Sequence, residues 1–326
     1  MAIKRRLEGE SPERNLVVPE SLHDVRLDKA LRELLPEFSR VYLRDLVADG
    51  FVTIGKRVQR KPSFLCQTGD EITIQLAPRI VSDAPPPPEY QLLHVDESII
   101  VINKPPGLAA HRNEGVWRGS VADYARRDFG LLPSLQGENR PGIVHRLDKD
   151  TSGVMVLARS PEAFFSLREQ FAERTVVKEY HALIYGNLRF DSEWIEQPIG
   201  RHPKRPTKMS VIDGGREAST LVESIERFNN FNYVRCRPKT GRTHQIRVHL
   251  SWLGHPIIGD TVYRVRKDHN SLPDSAPPVS RQLLHAFSLE LTHPATGERT
   301  KFEAPLPDDF QELLTFLRLN CKSQPR

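Results

Sequence analysis

A dense polar cluster directly precedes an apolar run in the segment HRLDKDTSGVMVLA. Asp148 and Asp150 are its two carboxylates, Arg146 and Lys149 flank them, and VMVLA at 154–158 is typical of a buried strand. A strand can hold such a loop in a fixed position, as the rim of a site requires. A carboxylate there can act as nucleophile, general base or metal ligand. Basic neighbours favour its ionised form, which suits a nucleophile better than a proton donor.

The same residues also fit a solvated loop held by surface ion pairs, and taken alone they favour that interpretation. Two further clusters change the balance. NKPPGLAAHR follows an apolar run, and its Gly and Pro residues fix a turn that presents Lys104 and His111. KTGRTHQIRVHL places Lys239 and Arg242 at the start of an amphipathic helix, where free backbone N–H groups favour phosphate.

Histidine and cysteine spacing argues against a metal site. His244 and His249 are five residues apart, not the four that place two imidazoles on one helical face, and no HExxH pattern occurs. Each of these histidines is expected to be hydrogen-bonded in the structure or to face phosphate. The three cysteines lie far apart without a CxxC pair, which indicates a reducing, intracellular setting.

The charge balance favours an acidic partner. Among 326 residues, 47 are Lys or Arg and 42 are Asp or Glu, a formal net charge of +5. The basic start MAIKRRLEGESPERNL has no apolar core of a signal peptide, and no run of 18 apolar residues occurs. We therefore expect a cytoplasmic protein that does not enter a membrane.

The charged N-terminal segment and the run of four prolines at 85–88 predict a small domain followed by a large one. We expect a disordered tail at 1–20, a module at 21–80, a proline-rich linker at 81–90 and a catalytic domain at 91–326. The module begins with an amphipathic helix whose apolar positions are Leu27, Ala30, Leu31 and Leu34. A second helix is expected to start at an N-cap, Ser39, and to end at Gly50, followed by short strands.

The module is also basic. Between 40 and 61 six basic residues face two acids, a balance of +4 that fits phosphate contact or, equally, a solvated face. The basic residues are Arg40, Arg44, Lys56, Arg57, Arg60 and Lys61. In the large domain, RHPKRPTKM at 201–209 is predicted to be a mobile basic loop. Strand-like runs alternate there with helices, of which SPEAFFSLREQF has Ser160 as N-cap and Pro161 as first residue.

Four motifs, HRLDKDTSG, NKPPGL, KEYHAL and GRTHQIRVH, closely resemble those of the RluA/RluD-type RNA pseudouridine synthases, in the same order. The resemblance runs from about Arg26 to near the C-terminus, and its N-terminal part is similar to an S4 RNA-binding domain. It implies an α+β pseudouridine synthase fold, with a largely antiparallel sheet, flanking helices and a central cleft. It departs from the family at Ile54-Gly55-Lys56-Arg57, where Val-Asn-Gly-Lys is usual, and where AAHR replaces VVHP after NKPPGL.

The resemblance also implies residue roles. Asp148 would be the catalytic aspartate, Tyr180 would lie against uracil, and Arg247 would pair with the aspartate. Because bonds are exchanged within one nucleotide, the reaction needs neither metal nor cofactor.

The implied substrate is a uridine in structured ribosomal RNA of the large subunit, free or in an assembling particle. The base would be flipped out at a cost of a few kcal/mol, with Arg146 filling the vacancy. The remaining predicted RNA contacts are Lys104, His145, Arg242, His244 and the module residues Arg40, Arg44, Lys56 and Arg57. We expect a monomer.

Two other classes of function stay open. A non-catalytic RNA-binding or ribosome-assembly factor would keep the fold but lose Asp148, Tyr180 or Arg247, and all three are present. A metal-dependent phosphodiesterase built on Asp148 and Asp150 would need more carboxylates and histidines at ligand spacing. A chelator of divalent ions would stop phosphodiester cleavage and spare isomerisation.

Overall fold

The computed structural model describes residues 13–36, 38, 40–76, 88–111, 119–135, 140–264 and 272–321. Contacts divide them into two compact units, one within 13–76 and one within 88–321. Three predictions lie outside the described residues: the tail at 1–12, the N-cap Ser39 and the linker at 81–87. No helix in the described part is long and apolar enough to cross a membrane.

The first unit packs two helices on a small sheet. Its elements are β1 (Glu13–Val17), a 3-10 helix (Glu20–Leu22), α1 (Leu27–Leu34), α2 (Arg40–Asp49), β2 (Val52–Ile54), β3 (Arg57–Val58) and β4 (Glu71–Gln75). The strands pair in the order β1-β4-β2-β3. Leu27 and Leu31 of α1 are fully buried together with Ile74 of β4, as the helical spacing predicts. α2 ends at Asp49, and Gly50, which follows it, has a φ of +87° that favours glycine.

The predicted tail was too long. Residues Glu13–Val17 form β1, which pairs antiparallel with β4 from Glu13 opposite Gln75 to Val17 opposite Glu71. Val18, which follows β1, is buried in the core of the unit. Pairing with a neighbouring strand and one buried side chain thus order a segment that its charge alone marks as tail.

The described residues of the second unit form eleven strands and four helices. They are β5 (Gln91–Val95), β6 (Ile99–Lys104), α3 (Val121–Phe129), β7 (Ser152–Ala158), α4 (Pro161–Ala172), β8 (Val177–Tyr185), β9 (Ser192–Glu196), β10 (Ile199–His202), β11 (Arg205–Val211), β12 (Ser219–Phe228), β13 (Phe231–Pro238), α5 (Gln245–Trp252), β14 (Leu284–Thr292), β15 (Arg299–Glu303) and α6 (Asp308–Asn320). The nine-stranded sheet has the order β5-β6-β7-β14-β8-β13-β12-β9, with β15 on β14. Its pairs are antiparallel except β7–β14, as predicted.

Helices cover both faces of this sheet. α4 packs Phe164 against Val156, and α3 packs Ala125 against Leu157 on the opposite face of β7. Every residue of β7 is buried, which agrees with the continuous apolar run at 154–158. α5 and α6 cover the other half, on opposite faces of β8. The predicted N-cap is confirmed, since Ser160 accepts the N–H of Ala163.

Two further predictions are corrected. The last residues of the predicted linker belong to the folded second unit, where Glu89 pairs with Arg127 at 2.7 Å and the Tyr90 hydroxyl donates to Asp128 at 2.7 Å. The predicted basic loop at 201–209 is mostly a hairpin of β10 and β11. Pairing between these two strands satisfies backbone groups that a mobile loop would leave to water.

Candidate active site

A cavity of about 460 Å³ opens on the α5 side of the large sheet. This volume falls in the range of small-ligand sites. The cavity walls are the segment before β7, the end of α4 with the residues that follow it, the start of β8, the start of β14, and the segment from the end of β13 into α5. The lining includes the predicted residues His145, Arg146, Asp148, Tyr180, Arg242, His244 and Arg247. The fold therefore brings together residues that lie up to about a hundred positions apart in the chain.

Asp148 stands on a tight turn before β7. The N–H of Thr151 donates to the carbonyl of Asp148 at 3.1 Å, and the buried strand starts at Ser152. Its Oδ2 accepts a hydrogen bond from Nη1 of Arg247 at 2.9 Å. Among the described residues no hydrogen bond reaches Oδ1, and the side chain is 20% exposed in the cavity wall. Asp148 is thus held by a cation through one carboxylate oxygen, and its side chain lines the space that a ligand would fill.

Arg247 is fixed from its other side by a second carboxylate. Its Nε and Nη2 donate to the two oxygens of Asp260 at 2.7 and 3.0 Å, and the Asp260 side chain is fully buried. Burial lowers the pKa of Arg247, but the two carboxylates outweigh it and hold the guanidinium protonated. Burial likewise raises the pKa of Asp260, and the Arg247 hydrogen bonds lower it below its ordinary value. A planar guanidinium suits this double role because its donors form a rigid fork.

Two more side chains adjoin this pair. His244, which precedes α5 at a left-handed φ of +57°, has Nε2 3.8 Å from Asp148 Oδ2 and Nδ1 2.9 Å from the Tyr263 hydroxyl. Burial lowers the pKa of His244, while the Asp148 charge opposes that shift. The Tyr263 ring also lies 5.1 Å from the Arg247 guanidinium. The Tyr263 ring thus adds a cation–π contact to the two carboxylates that hold the Arg247 guanidinium.

Tyr180 stands on β8 among apolar groups of both adjoining cores. Burial, and to a smaller extent the charge of Asp148, raises the pKa of its hydroxyl, so the ring carries no charge at neutral pH. The structure brings this aromatic side chain into the same cavity wall as Asp148 and Arg247. The combination can hold a flat ring and place a carboxylate beside it.

Lys104 does not face the cavity, and the prediction that it contacts RNA is wrong. Its side chain is fully buried, and Nζ donates to the carbonyls of Pro105, Leu108 and Lys149 at 2.8, 2.8 and 2.9 Å. Burial lowers the pKa of Lys104 to about 7. Its position ties the turn after β6 to the backbone next to Asp148.

His145 lines the cavity but is held by protein contacts. Its Nε2 accepts the N–H of Val156 at 3.1 Å, and the ring stacks on Phe171 at 4.6 Å. Burial, with the nearby Lys178, lowers its pKa to about 3. The ring is therefore neutral, so any RNA contact it makes is not one of charge.

The predicted cations differ in availability. Arg146 is exposed at the cavity, and no hydrogen bond or ion pair to the described residues engages it. Arg242 lines the cavity while its Nε donates to the carbonyl of Glu217 at 2.8 Å. In the first unit, Lys56 and Arg57 are exposed on the β2–β3 hairpin, which keeps a two-residue turn with Gly55 at a φ of +58°. The departure from the family's usual turn residues therefore preserves the hairpin.

The other two module cations lie on α2. Arg44 is exposed, and its contact with RNA stays a prediction. Arg40 instead donates to Oδ2 of the buried Asp28 at 2.9 and 2.6 Å, alongside Arg26 at 3.0 Å. Burial raises the pKa of Asp28, but these hydrogen bonds lower it below its ordinary value. Part of the predicted positive charge is therefore balanced within the unit.

One group of side chains in the described part of the chain has spacing that could hold a metal ion, and it lies apart from the cavity. His94 and His293 both reach Oδ2 of Asp96, at 2.7 and 2.9 Å. Nδ1 of His293 accepts the N–H groups of Ala295 and Thr296, each at 3.3 Å. The ring hydrogen is therefore on Nε2 and points at Asp96, which favours a hydrogen-bonded cluster over a metal site.

Sequence reasoning missed several residues that support the site. Arg281 is buried, forms two hydrogen bonds to Asp309 of α6 at 2.6 and 2.7 Å, and donates to the carbonyl of Asp150 at 3.1 Å. Asp260 and Tyr263 lie in a segment with no motif of its own. The sequence did contain a signal for Asp260 and Arg281. Asp260 ends the segment GHPIIGD and Arg281 begins RQLLHAF, both largely apolar, and a charged residue buried in such a segment needs a partner.

Comparisons with known proteins agree with this geometry. Residues 98–252 match the family described as RNA pseudouridylate synthase, and residues 25–72 match the S4 domain. The chain is 39% identical over 306 residues to the ribosomal large subunit pseudouridine synthase D of Nitrosomonas europaea, covering 93% of this chain and 87% of that protein. It is 38% identical over 311 residues to the protein of the same name in Pseudomonas aeruginosa, covering 92% and 94%.

Solved structures show the same fold. Human RNA pseudouridylate synthase domain containing 4 is 29% identical, with a TM-score of 0.53, and the match covers 70% of this chain and 93% of that one. The sequence matches extend over nearly the whole chain and include both units. The chain therefore belongs to the RluA/RluD-type RNA pseudouridine synthases, and it is an isomerase of this family that carries an S4 RNA-binding domain.

Proposed function

We propose that this enzyme converts uridine to pseudouridine in ribosomal RNA of the large subunit, with Asp148 as the catalytic aspartate. The observation that carries the proposal is the pairing of Asp148 Oδ2 with the buried Arg247, in the wall of a cavity that Tyr180 also lines. The names of the relatives in Nitrosomonas europaea and Pseudomonas aeruginosa support the ribosomal substrate. The bond from C1′ to N1 of uracil breaks, one from C1′ to C5 forms, the C5 hydrogen leaves as a proton, and N1 gains a proton.

The residues that line the cavity have separate roles in this reaction. Arg247 holds the Asp148 carboxylate in position, and Asp148 attacks the nucleoside or withdraws a proton. Tyr180 offers an uncharged aromatic face against which the detached uracil turns. A stacked uridine cannot reach Asp148, so it is flipped out at a cost of a few kcal/mol, and the exposed Arg146 fills its place.

The finer context belongs to the same proposal. The enzyme acts as a monomer. The enzyme acts in the cytoplasm on structured ribosomal RNA, free or in an assembling large subunit. Sedimentation of the protein alone tests whether it is a monomer. Comparison of its activity on naked ribosomal RNA with that on precursor particles tests which of the two is the substrate.

Release of tritium from large-subunit RNA labelled at uracil C5 tests the reaction. The wild type should release tritium and Asp148→Asn should not, while Asp150→Asn, a change of the same charge on the same turn, should retain most of the activity. If the wild type binds this RNA and releases none, the assembly-factor hypothesis replaces the enzymatic one on this substrate. A parallel reaction with a divalent-ion chelator, followed on a gel, should show intact RNA throughout; cleavage that the chelator abolishes would indicate a phosphodiesterase.

A further inference from the structure

Three cations line the same cavity, and within the described residues they form one ion pair, that of Arg174 with Glu217. They are Arg174, Lys178 and Arg242, here called the cation cluster. Lys178 is two residues before Tyr180 on β8, and both line the cavity. Alternate residues of a strand share a face and lie about 7 Å apart. The cluster therefore adjoins the place where a flat ring would lie on Tyr180.

The members of the cluster repel one another. Burial, followed by the charge of Arg174, lowers the pKa of Lys178 to about 8. Burial together with Arg216 and Arg174 also lowers the pKa of Arg242. The acid in reach is Glu217, 3.4 Å from Arg174 Nη1, but its side chain is 73% exposed, so water weakens the pairing. A bound anion would relieve this repulsion.

The hydrogen bonds of the cluster leave donors free for such an anion. Nζ of Lys178 has one long contact, 3.4 Å to the carbonyl of Thr240. Nε of Arg242 is used by the carbonyl of Glu217, and no hydrogen bond within the described residues engages its two Nη atoms. An ammonium and two guanidinium groups can together surround the oxygens of one phosphate.

The backbone of Arg174 gives an independent observation. It lies just after α4 with a φ of +63°, the left-handed position at a helix end that glycine normally occupies. A residue with a Cβ is disfavoured there by about 1–2 kcal/mol. The Arg174 side chain lines the cavity, and its guanidinium is the charged group that a glycine at this position would lack.

We infer that Arg174, Lys178 and Arg242 form a phosphate subsite that binds the RNA backbone beside the flipped uridine. This inference rests on the proposed function, since it places the base on Tyr180. It assigns binding roles to Arg174 and Lys178 and one shared phosphate to all three cations. The contact forms in the ground state and persists in the transition state, so its loss should raise KM for RNA far more than it lowers kcat.

Binding of unmodified large-subunit RNA, made by transcription, tests the subsite at several salt concentrations. We expect Arg174→Gly and Arg242→Gln each to raise Kd about tenfold, the effect of one charged hydrogen bond, and to reduce the slope of log affinity against log salt by about one. Arg168→Gln removes an exposed charge of α4 that does not line the cavity, and it should match the wild type.

Thermal melting separates binding from folding. Because Gly relieves the left-handed strain, Arg174→Gly should melt at or above the wild-type temperature while it binds RNA less tightly. Unchanged Kd and salt slope in Arg174→Gly would overturn the subsite, and so would a loss of affinity as large in Arg168→Gln. Absence of tritium release by the wild type would instead reject the proposed reaction on this RNA, and the binding comparison would still decide about the subsite.

Discussion

Arg247 donates from Nη1 to Asp148 at 2.9 Å and from Nε and Nη2 to Asp260, so one guanidinium joins two carboxylates. The bidentate pair with Asp260 is almost fully buried, whereas Asp148 reaches the cavity. Asp260 thus positions the cation, and the cation positions Asp148. Without the Arg247 guanidinium, the carboxylates of Asp148 and Asp260 would not hold each other in place, because like charges repel.

Arg247→Lys should abolish most of the activity although it preserves the charge. A lysine ammonium is a single point donor and cannot span both carboxylates as the planar fork does. We expect kcat for tritium release to fall about 100-fold, the cost of a small misplacement at a reacting group. Arg299→Lys, at an exposed pair with Glu290, is the matched control and should leave kcat unchanged. Full activity in Arg247→Lys would show that charge alone suffices.

Lys104→Met should change how stability depends on pH. The folded-state pKa of Lys104 is about 7, whereas a free lysine titrates near 10.4. Between these values the unfolded chain binds more protons, so the free energy of unfolding rises with pH. From pH 7 to 9 this one group should contribute about 2 kcal/mol of added stability, which the variant lacks.

Denaturant unfolding at pH 7, 8 and 9 measures the difference between wild type and Lys104→Met. The comparison is needed because other groups titrate in both proteins. Lys178, with its pKa lowered to about 8, adds stability in the same direction, and the buried thiols of Cys66 and Cys236, with raised pKa values, act oppositely. A difference that stays constant with pH would mean that Lys104 keeps its ordinary pKa.

Gly153→Ala should destabilise the strand behind Asp148. Gly153 has a φ of +115°, and a Cβ there would lie 2.1 Å from the carbonyl oxygen of Ala286 on the paired strand β14. We expect a loss of about 3 kcal/mol or more in the free energy of unfolding, because backbone must move. Gly130→Ala has a φ of +77° but open space around it, so it should cost less than Gly153→Ala, because only backbone strain and no clash opposes it. Equal losses would show that the β7–β14 contact can adjust.

The sequence predicted what local spacing and motifs encode. The buried positions of α1, the N-cap Ser160 and the polar turn at Asp148 all follow from short-range patterns. It missed Asp260 and Arg281 because their partners are distant in the chain and no local spacing reveals them. The prediction for Lys104 was wrong because the local sequence at a strand end does not show whether a basic residue there is exposed or buried. Burial and pairing are properties of the assembled sheet.

Changing Lys56 and Arg57 together to Gln should weaken RNA binding without affecting the chemical step. Both side chains are exposed on the β2–β3 hairpin, in the unit that matches the S4 domain, and neither lines the cavity. Loss of two phosphate contacts should reduce the salt slope of binding by about 1.4, and kcat at saturating RNA should stay within about twofold of the wild type.

The control for this double variant is Lys29→Gln with Arg32→Gln, which removes the same charge from the exposed side of α1 in the same unit. Net charge alone acts through the long-range field, so it would weaken binding equally in both double variants. Direct phosphate contact at the hairpin predicts a clear loss of salt slope for the Lys56 and Arg57 pair and little for the α1 pair. Equal slopes in the two variants would therefore place the RNA contacts of this unit elsewhere than on the hairpin.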